Sequence, residues 1–332
     1  MPEVKIIGTG SYAPELIVSN DDLEKLVDTN DEWIYSRTGI RERRVATTET
    51  LESISAAAAR IAMEDAGLKA EDLDMIIVAT LTPDYPLPNA SSALQKELGA
   101  AGATCFDLNA ACTGFLFAMN TASMYIRCHE AKYILVIGAE ILSKIVDWTD
   151  RSTCVLFGDG AGAAILAPSE NQGFIGTVTG TDGTKGYTLT CGDTLTSGEQ
   201  DNLNPFKPPV KSEDLISRYV YMDGPEVFKF AVKRVPECIN QVLEKTGMTT
   251  GQVDHFVLHQ ANARIIESVA KRLKVPMDKF IINMDRYGNT SAASIPIALD
   301  ELLKSQKVRP GDVLMIAGFG GGLTWGATLL RI

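Results

Sequence analysis

Ala66-Gly67-Leu68, followed by Asp74-Met75-Ile76-Ile77-Val78-Ala79, is echoed far along the chain by Thr246-Gly247-Met248, followed by Asp254-His255-Phe256-Val257-Leu258-His259. Each copy reads as a helix closed by glycine and then a strand. Glycine takes the left-handed backbone that ends a helix without a Cβ clash, and a short apolar run suits a buried strand. The spacing is constant, 247 − 67 = 180 and 254 − 74 = 180. Ile134-Leu135-Val136-Ile137-Gly138 returns at the same spacing as Leu314-Met315-Ile316-Ala317-Gly318. Cys112 falls opposite Asn289 at a nearby one, 289 − 112 = 177. Helix–glycine–strand patterns are common in α/β chains, but several matches in one order at nearly one spacing point to internal duplication. The expectation is an α/β protein of two similar halves, 1–170 and 171–332, with a ligand cleft where they meet.

The remaining pattern agrees with α/β. Strand-like runs occur at Val4–Ile7, Met75–Ala79, Cys105–Leu108, Tyr133–Ile137, Ala163–Leu166, Phe256–Leu258, Ile281–Asn283, Leu314–Ala317 and Thr328–Leu330. Ser53–Ala66 and Val227–Lys245 read as helices. Residues 181–218, rich in Gly, Thr, Asp, Asn and Pro and including Lys207-Pro208-Pro209, read as a long excursion between the halves. Such a segment can be a lid, a subunit contact or an insertion.

The chain has 332 residues, 45% of them hydrophobic and 22% charged, enough for a large core. No apolar run approaches the roughly 18 residues of a membrane span. Met1–Gly8 reads as a first strand rather than a signal peptide. The six cysteines form no CxxC pair and no cluster with histidine, so neither a zinc site nor a disulfide framework is expected. A reduced, cytoplasmic setting is the simplest expectation. A net charge of −11 argues against nucleic acid as a general partner.

Chemistry concentrates at three places. Cys112 lies in Asn109-Ala110-Ala111-Cys112-Thr113-Gly114-Phe115, between a strand-like run and an apolar helical run reaching about Ile126. A thiol at a helix N-terminus meets unpaired N–H groups and the positive end of the dipole, which favour thiolate. Taken alone, a free cysteine is more often a small buried hydrophobe, and Cys105, Cys128, Cys154, Cys191 and Cys238 fit that reading. His259 ends a strand in Val257-Leu258-His259-Gln260-Ala261-Asn262, and Asn289 sits in Gly288-Asn289-Thr290-Ser291-Ala292-Ala293-Ser294. Alone, the first could be a satisfied structural histidine and the second a turn with a helix cap. Gly318-Phe319-Gly320-Gly321-Gly322 follows a strand; consecutive glycines allow backbone N–H groups to face a substrate oxygen.

Together these stretches resemble the β-ketoacyl-ACP synthase III family of the thiolase superfamily. The resemblance runs along the whole chain and includes Asp31-Glu32-Trp33-Ile34, Arg37-Thr38-Gly39-Ile40-Arg41-Glu42-Arg43 and Phe157-Gly158-Asp159-Gly160-Ala161-Gly162-Ala163. It implies an internally duplicated, five-layered αβαβα architecture. It implies an acyltransferase that initiates fatty-acid synthesis by condensing acyl-CoA, acetyl or a short or branched primer, with malonyl-ACP to give β-ketoacyl-ACP, CO2 and CoA. Cys112 would accept the acyl group, and His259 and Asn289 would stabilise the enolate left by decarboxylation. The N–H groups of Cys112 and Gly321 would form the oxyanion hole. Trp33, Arg37 and Arg151 would contact CoA; Leu87, Leu142, Phe157 and Leu189 would line the acyl pocket. Position 87 often carries Phe in relatives and caps the partner's pocket across a homodimer, so Leu there leaves room for a larger primer. No metal and no resident cofactor are implied.

An acidic protein must still meet an acidic carrier. Asn262 to Lys274 reads as a helix with Ile265, Ile266, Val269 and Leu273 on one side and Arg264, Lys271 and Arg272 on a shared polar side. That is an ordinary solvated face or, as the resemblance implies, the docking surface for acyl carrier protein. Three other functions compete. A homologous starter-unit synthase or acyltransferase of secondary metabolism would use the same cysteine. An inactive scaffold is disfavoured by the intact Cys112, His259 and Asn289. A cysteine protease is disfavoured by the duplicated pattern.

Overall fold

The structure is a computed structural model and describes residues 2–170, 173–192 and 217–332. Two sheets form its frame. The first runs in the order Glu3–Tyr12, Gly160–Ser169, Ile134–Glu140, Met75–Ala79, Thr104–Leu108. The second runs Phe174–Thr181, Thr324–Arg331, Val313–Gly320, His255–Leu258. Both repeat one pattern of directions: two antiparallel pairings, then a parallel one. The duplication expected from the 180-residue spacing is therefore a duplication of sheet topology.

The parallel strands are buried on both faces. Met75–Ala79 and Ile134–Glu140 have no exposed residue, which is why they read as unbroken apolar runs rather than alternating ones. Helices Gly114–Arg127 and Ser294–Lys304 lie between the sheets, each touching strands of both. Helix Leu51–Ala66 covers the first sheet from outside, and Gly224–Thr246 covers the second. The layers are thus αβαβα. Phe115, Leu116, Ile295 and Leu299 fill the middle layer, all within 1% of full burial. Helices Leu51–Ala66 and Gly224–Thr246 both stop at a glycine in the left-handed region, Gly67 at φ 65° and Gly247 at φ 67°.

Two expectations need correction. Ile281–Asn283 does not form a strand. One bridge, Phe256 to Phe280, marks where the counterpart of Thr104–Leu108 would run. Beyond it the Asn283 N–H donates to the Gln260 side chain at 3.0 Å, so side-chain hydrogen bonds replace the ladder. Cys112 is also not the structural equivalent of Asn289. The 3-10 turn Ala111–Thr113 leads into helix Gly114–Arg127, and Ser291–Ala293 leads into Ser294–Lys304, so the spacing stays 291 − 111 = 180. Cys112 matches Ala292, and Asn289 lies just before the second turn. Residues 193–216, including Lys207-Pro208-Pro209 and most of the expected excursion, lie outside the described residues. Its near flank carries the turn Gly183–Thr188 and a two-residue strand, Leu189–Thr190, paired with Tyr221–Met222 beyond its far end.

Candidate active site

The two central helices bring their leading turns together. Cys112, in the first turn, is 8% exposed at the floor of a cavity of about 550 Å³. The glycine loop after Val313–Gly320 closes over it. A Cβ on Gly320 would lie 2.7 Å from the Cys112 nitrogen, so only glycine permits this approach. Thr113 Oγ1 donates to Thr324 Oγ1 at 2.8 Å, and Thr324 donates to the Gly321 carbonyl at 3.1 Å, tying turn and loop together. The backbone N–H groups of Cys112 and Gly321 both reach the thiol, as does the Ser291 hydroxyl.

The electrostatics differ from the expected dipole-stabilised thiolate. Burial pushes the Cys112 thiol up to about 11, outweighing those three favourable hydrogen bonds, and nearby Glu140 opposes ionisation further. The resting group is a thiol.

His259 follows strand His255–Leu258. Its N–H donates to the Ala317 carbonyl at 2.9 Å, and its ring is edge-on to Phe319 at 5.4 Å. Burial holds its pKa down to about 3, so the imidazole is neutral. Nδ1 shares a 2.7 Å hydrogen bond with the Ser294 hydroxyl, which also accepts the Gln260 N–H. A hydroxyl donating to Nδ1 leaves the proton on Nε2, making that nitrogen a donor. Gln260 is fixed by donating to the Leu258 and Ile281 carbonyls.

Asn289 is clamped to the first half. Its N–H donates to the Leu156 carbonyl at 2.8 Å, and its carbonyl accepts the Gly158 N–H at 3.1 Å. Its Oδ1 accepts the Ser291 N–H at 2.9 Å. The side-chain oxygen is committed, so the amide NH2 is what Asn289 can offer a substrate. A neutral His donor and an amide donor suit an enolate oxygen and cannot act as strong bases.

The cavity is lined by Leu142, Phe157 and Leu189, as expected, and by Leu81, Ile145 and Val220, which sequence reading missed. Leu87 is not among its lining residues. It is 87% exposed on the segment between Ala79 and Ala90, so it does not shape the pocket of its own chain. Trp33, half-buried in helix Asp31–Thr38, is flanked by Arg37 at 4.6 Å and Arg151 at 4.8 Å. The three expected CoA contacts thus form one cationic, aromatic surface. Asn262 donates to the Arg37 carbonyl at 3.0 Å, joining that surface to helix Ala263–Leu273, which begins four residues after His259. That helix buries Ile265, Ile266, Val269 and Leu273 and exposes Arg264, Lys271 and Arg272.

Comparison with known proteins agrees with this geometry. Residues 106–183 match the sequence model described as 3-oxoacyl-[acyl-carrier-protein (ACP)] synthase III, and residues 243–332 match its C-terminal counterpart. The β-ketoacyl-[acyl-carrier-protein] synthase III of Clostridium acetobutylicum is 50% identical over 100% of this chain and 99% of its own. The chain belongs to the β-ketoacyl-ACP synthase III family. It is a condensing acyltransferase that initiates fatty-acid synthesis. The crystal structure of 3-oxoacyl-[acyl-carrier-protein] synthase III from Aquifex aeolicus superposes with a TM-score of 0.90 at 46% identity, covering 99% of this chain and 100% of the other. The priming β-ketosynthase from the R1128 polyketide biosynthetic pathway superposes equally well, TM-score 0.90, at 37% identity over 100% of this chain and 98% of its own.

Besides the three wall residues Leu81, Ile145 and Val220, the sequence reading missed the roles of Glu140, Ser291 and Ser294. The two serines sit in a small-residue turn that gave no sign of which hydroxyls face inward. Glu140 did carry a signal, since it is the acid that ends an otherwise wholly apolar buried strand. Among the described residues no helix is long and apolar enough to cross a membrane, and no group of three His, Cys, Asp or Glu could hold a metal.

Proposed function

We propose that the chain condenses an acyl-CoA primer with malonyl-ACP through an acyl-Cys112 intermediate. Cys112 sulfur bonds the acyl carbon, and CoA leaves as thiolate. Malonyl-ACP then loses CO2, its enolate oxygen accepting hydrogen bonds from His259 Nε2 and the Asn289 amide. The enolate carbon attacks the acyl carbon, and the Cys112 sulfur departs. The N–H groups of Cys112 and Gly321 hold the oxyanion in both acyl transfers. Trp33, Arg37 and Arg151 receive CoA by stacking and phosphate pairing, and Arg264, Lys271 and Arg272 receive the acidic carrier. The reaction uses CoA thioester as substrate and needs no resident cofactor. A cytoplasmic homodimer is the form in which Leu87 would face a partner's pocket.

The observation that carries this reading is the glycine loop pressed against Cys112, with Cys112 and Gly321 lining one largely apolar cavity. The test is a panel of acetyl-, propionyl-, isobutyryl- and longer acyl-CoAs with malonyl-ACP, with peptide mapping of the acyl-enzyme. The expected result is thioester label on Cys112 and β-ketoacyl-ACP product. Label elsewhere, or none with any primer, would refute it. The match to a priming polyketide synthase supports a second reading, starter-unit synthesis; product only with a specialised carrier would favour it.

A further inference from the structure

Glu140 is buried to 0% exposure at the end of the central strand Ile134–Glu140, and its hydrogen-bond partners carry no charge. Its carboxylate accepts the Thr80 hydroxyl at 3.2 Å, the Leu81 N–H at 3.2 Å, the Thr82 hydroxyl at 2.5 Å and the Ser291 hydroxyl at 3.4 Å. An ionised carboxylate held only by neutral donors is costly in a buried place. Helix packing alone would be served as well by an apolar side chain. Ser291 is the link to the chemistry: its hydroxyl lies 3.4 Å from the Glu140 carboxylate, its turn packs against the Cys112 turn, and it lines the same cavity as Cys112. We infer that Glu140, working through the Ser291 hydroxyl, stores the Cys112 proton while the cysteine carries the acyl group. This rests on Cys112 being the nucleophile.

The step balances. As Cys112 sulfur bonds the acyl carbon, its proton passes to Ser291 oxygen while the Ser291 proton passes to Glu140. The CoA thiolate that leaves takes its proton from solvent. When condensation breaks the sulfur–acyl bond, Glu140 returns the proton through Ser291 to the Cys112 thiolate, and the carboxylate is restored. A store must sit between full ionisation and full protonation at working pH, and burial raises the Glu140 carboxyl to about 7. A resting thiol, rather than thiolate, is what requires such an acceptor.

The charged groups on packed elements are committed elsewhere. Lys144 donates to the Thr82 carbonyl and pairs with Asp84. Asp159, beside the Gly160 that pairs with Glu140, accepts from Ser143 and Ala46. His259 is neutral and bonded to Ser294. Cys112 is the titratable group that Glu140 meets through Ser291.

The experiment measures single-turnover acylation of Cys112 by acyl-CoA, by quench and intact mass, from pH 5.5 to 9.5. It uses the unsubstituted protein, Glu140→Gln and Ser291→Ala. Alanine already occupies the equivalent backbone position at Ala111, so Ser291→Ala keeps the turn. The unsubstituted protein is expected to show a rate rising through neutrality and then levelling. Both variants should acylate about tenfold or more slowly at pH 7.5, the low end of general-base effects, and their rate should keep rising into the alkaline range. The far-UV circular dichroism of both variants should match that of the unsubstituted protein, which separates a lost proton path from a lost fold. Variants with the unsubstituted rate and profile, or slower ones with the neutral limb intact, overturn the proton store alone. Absence of acyl-Cys112 in the unsubstituted protein overturns the nucleophile assignment and the store with it.

Discussion

Ser291 and Ala111 stand 180 positions apart and share a left-handed backbone, φ 48° and φ 46°. Neither is glycine, and such a conformation costs roughly 1–3 kcal/mol at a non-glycine residue. Each begins the turn that feeds a central helix, so the strain is the means by which both halves aim a turn at the cavity. The first half uses that turn to place Cys112, the proposed nucleophile, one residue later. The second spends it on a hydroxyl that faces the same sulfur. A duplicated fold thus supplies two unlike halves of one site.

The donors should separate the half-reactions. His259→Ala and Asn289→Ala are expected to lose malonyl-ACP decarboxylation by about a hundredfold or more, the scale for one oxyanion donor. Cys112 acylation should survive better. Ser294→Ala should lower decarboxylation with little effect on acylation, because it frees the His259 tautomer without touching the thiol. Since His259 titrates near 3, decarboxylation should show no histidine limb between pH 5 and 9. Measuring the two half-reactions separately across that range checks all three expectations; equal loss of both would contradict them.

The proposed carrier surface should have a salt signature. Arg264, Lys271 and Arg272 are exposed, so their attraction to an acidic partner is screened over about 10 Å at 0.1 M salt. Arg264→Glu should raise the KM for malonyl-ACP several-fold while leaving that for acyl-CoA nearly unchanged. The defect should shrink as salt is added, because repulsion is screened too. Steady-state kinetics at two ionic strengths would show it.

Much of this was legible in the chain, for physical reasons that can be named. Gly67 and Gly247 announced themselves because a left-handed helix cap favours glycine, and the buried parallel strands because both faces must be apolar. Cys112, His259 and Asn289 were visible through the motifs around them. The antiparallel pairing of Leu16–Ser19 with Glu42–Val45 was not, since each strand is only four residues long, two helices separate them in sequence, and the second strand is mostly charged. Residues 281–283 were misread because three apolar or β-compatible residues suit a strand, while the Gln260 side chain that takes over their hydrogen bonding is distant in sequence. Leu87 shows the limit of position matching: the loop that carries it leaves it exposed and outside the cavity lining of its own chain.

Primer choice should answer to the cavity wall. Leu142 and Leu189 line it, and each buried methylene is worth about 0.8 kcal/mol, several-fold in preference. Apolar discrimination is soft, so short and branched primers should all be used. Leu142→Phe or Leu189→Phe should shift the profile toward acetyl-CoA. Leu87→Phe should do so only in the homodimer. Competition assays with mixed primers, alongside the measured oligomeric state, would test this; an unchanged profile in all three would move the determinant to Phe157 or to 193–216.

Glu140 also makes a prediction about stability. Burial raises its pKa from 4.5 to about 7, so folding takes up a proton between those values. The fold therefore keeps its full stability, as far as this group is concerned, below about pH 4.5. It loses stability as pH rises through 7, because the ionised carboxylate is better solvated in the unfolded chain. The difference amounts to on the order of 3 kcal/mol once ionisation is complete. Glu140→Gln removes this titration. Glutamine also disturbs the hydrogen bonds from Thr80, Leu81 and Thr82, but that cost does not depend on pH. The informative quantity is the change with pH in the stability difference between the two proteins. Denaturant unfolding at pH 5 and pH 8.5 should show the variant gaining on the original by a few kcal/mol at the higher pH. Other titrating groups cancel because both proteins carry them. A stability difference that stays constant across this range would mean that Glu140 keeps one protonation state in the fold throughout, and a carboxyl that does not change state could not serve as a proton store.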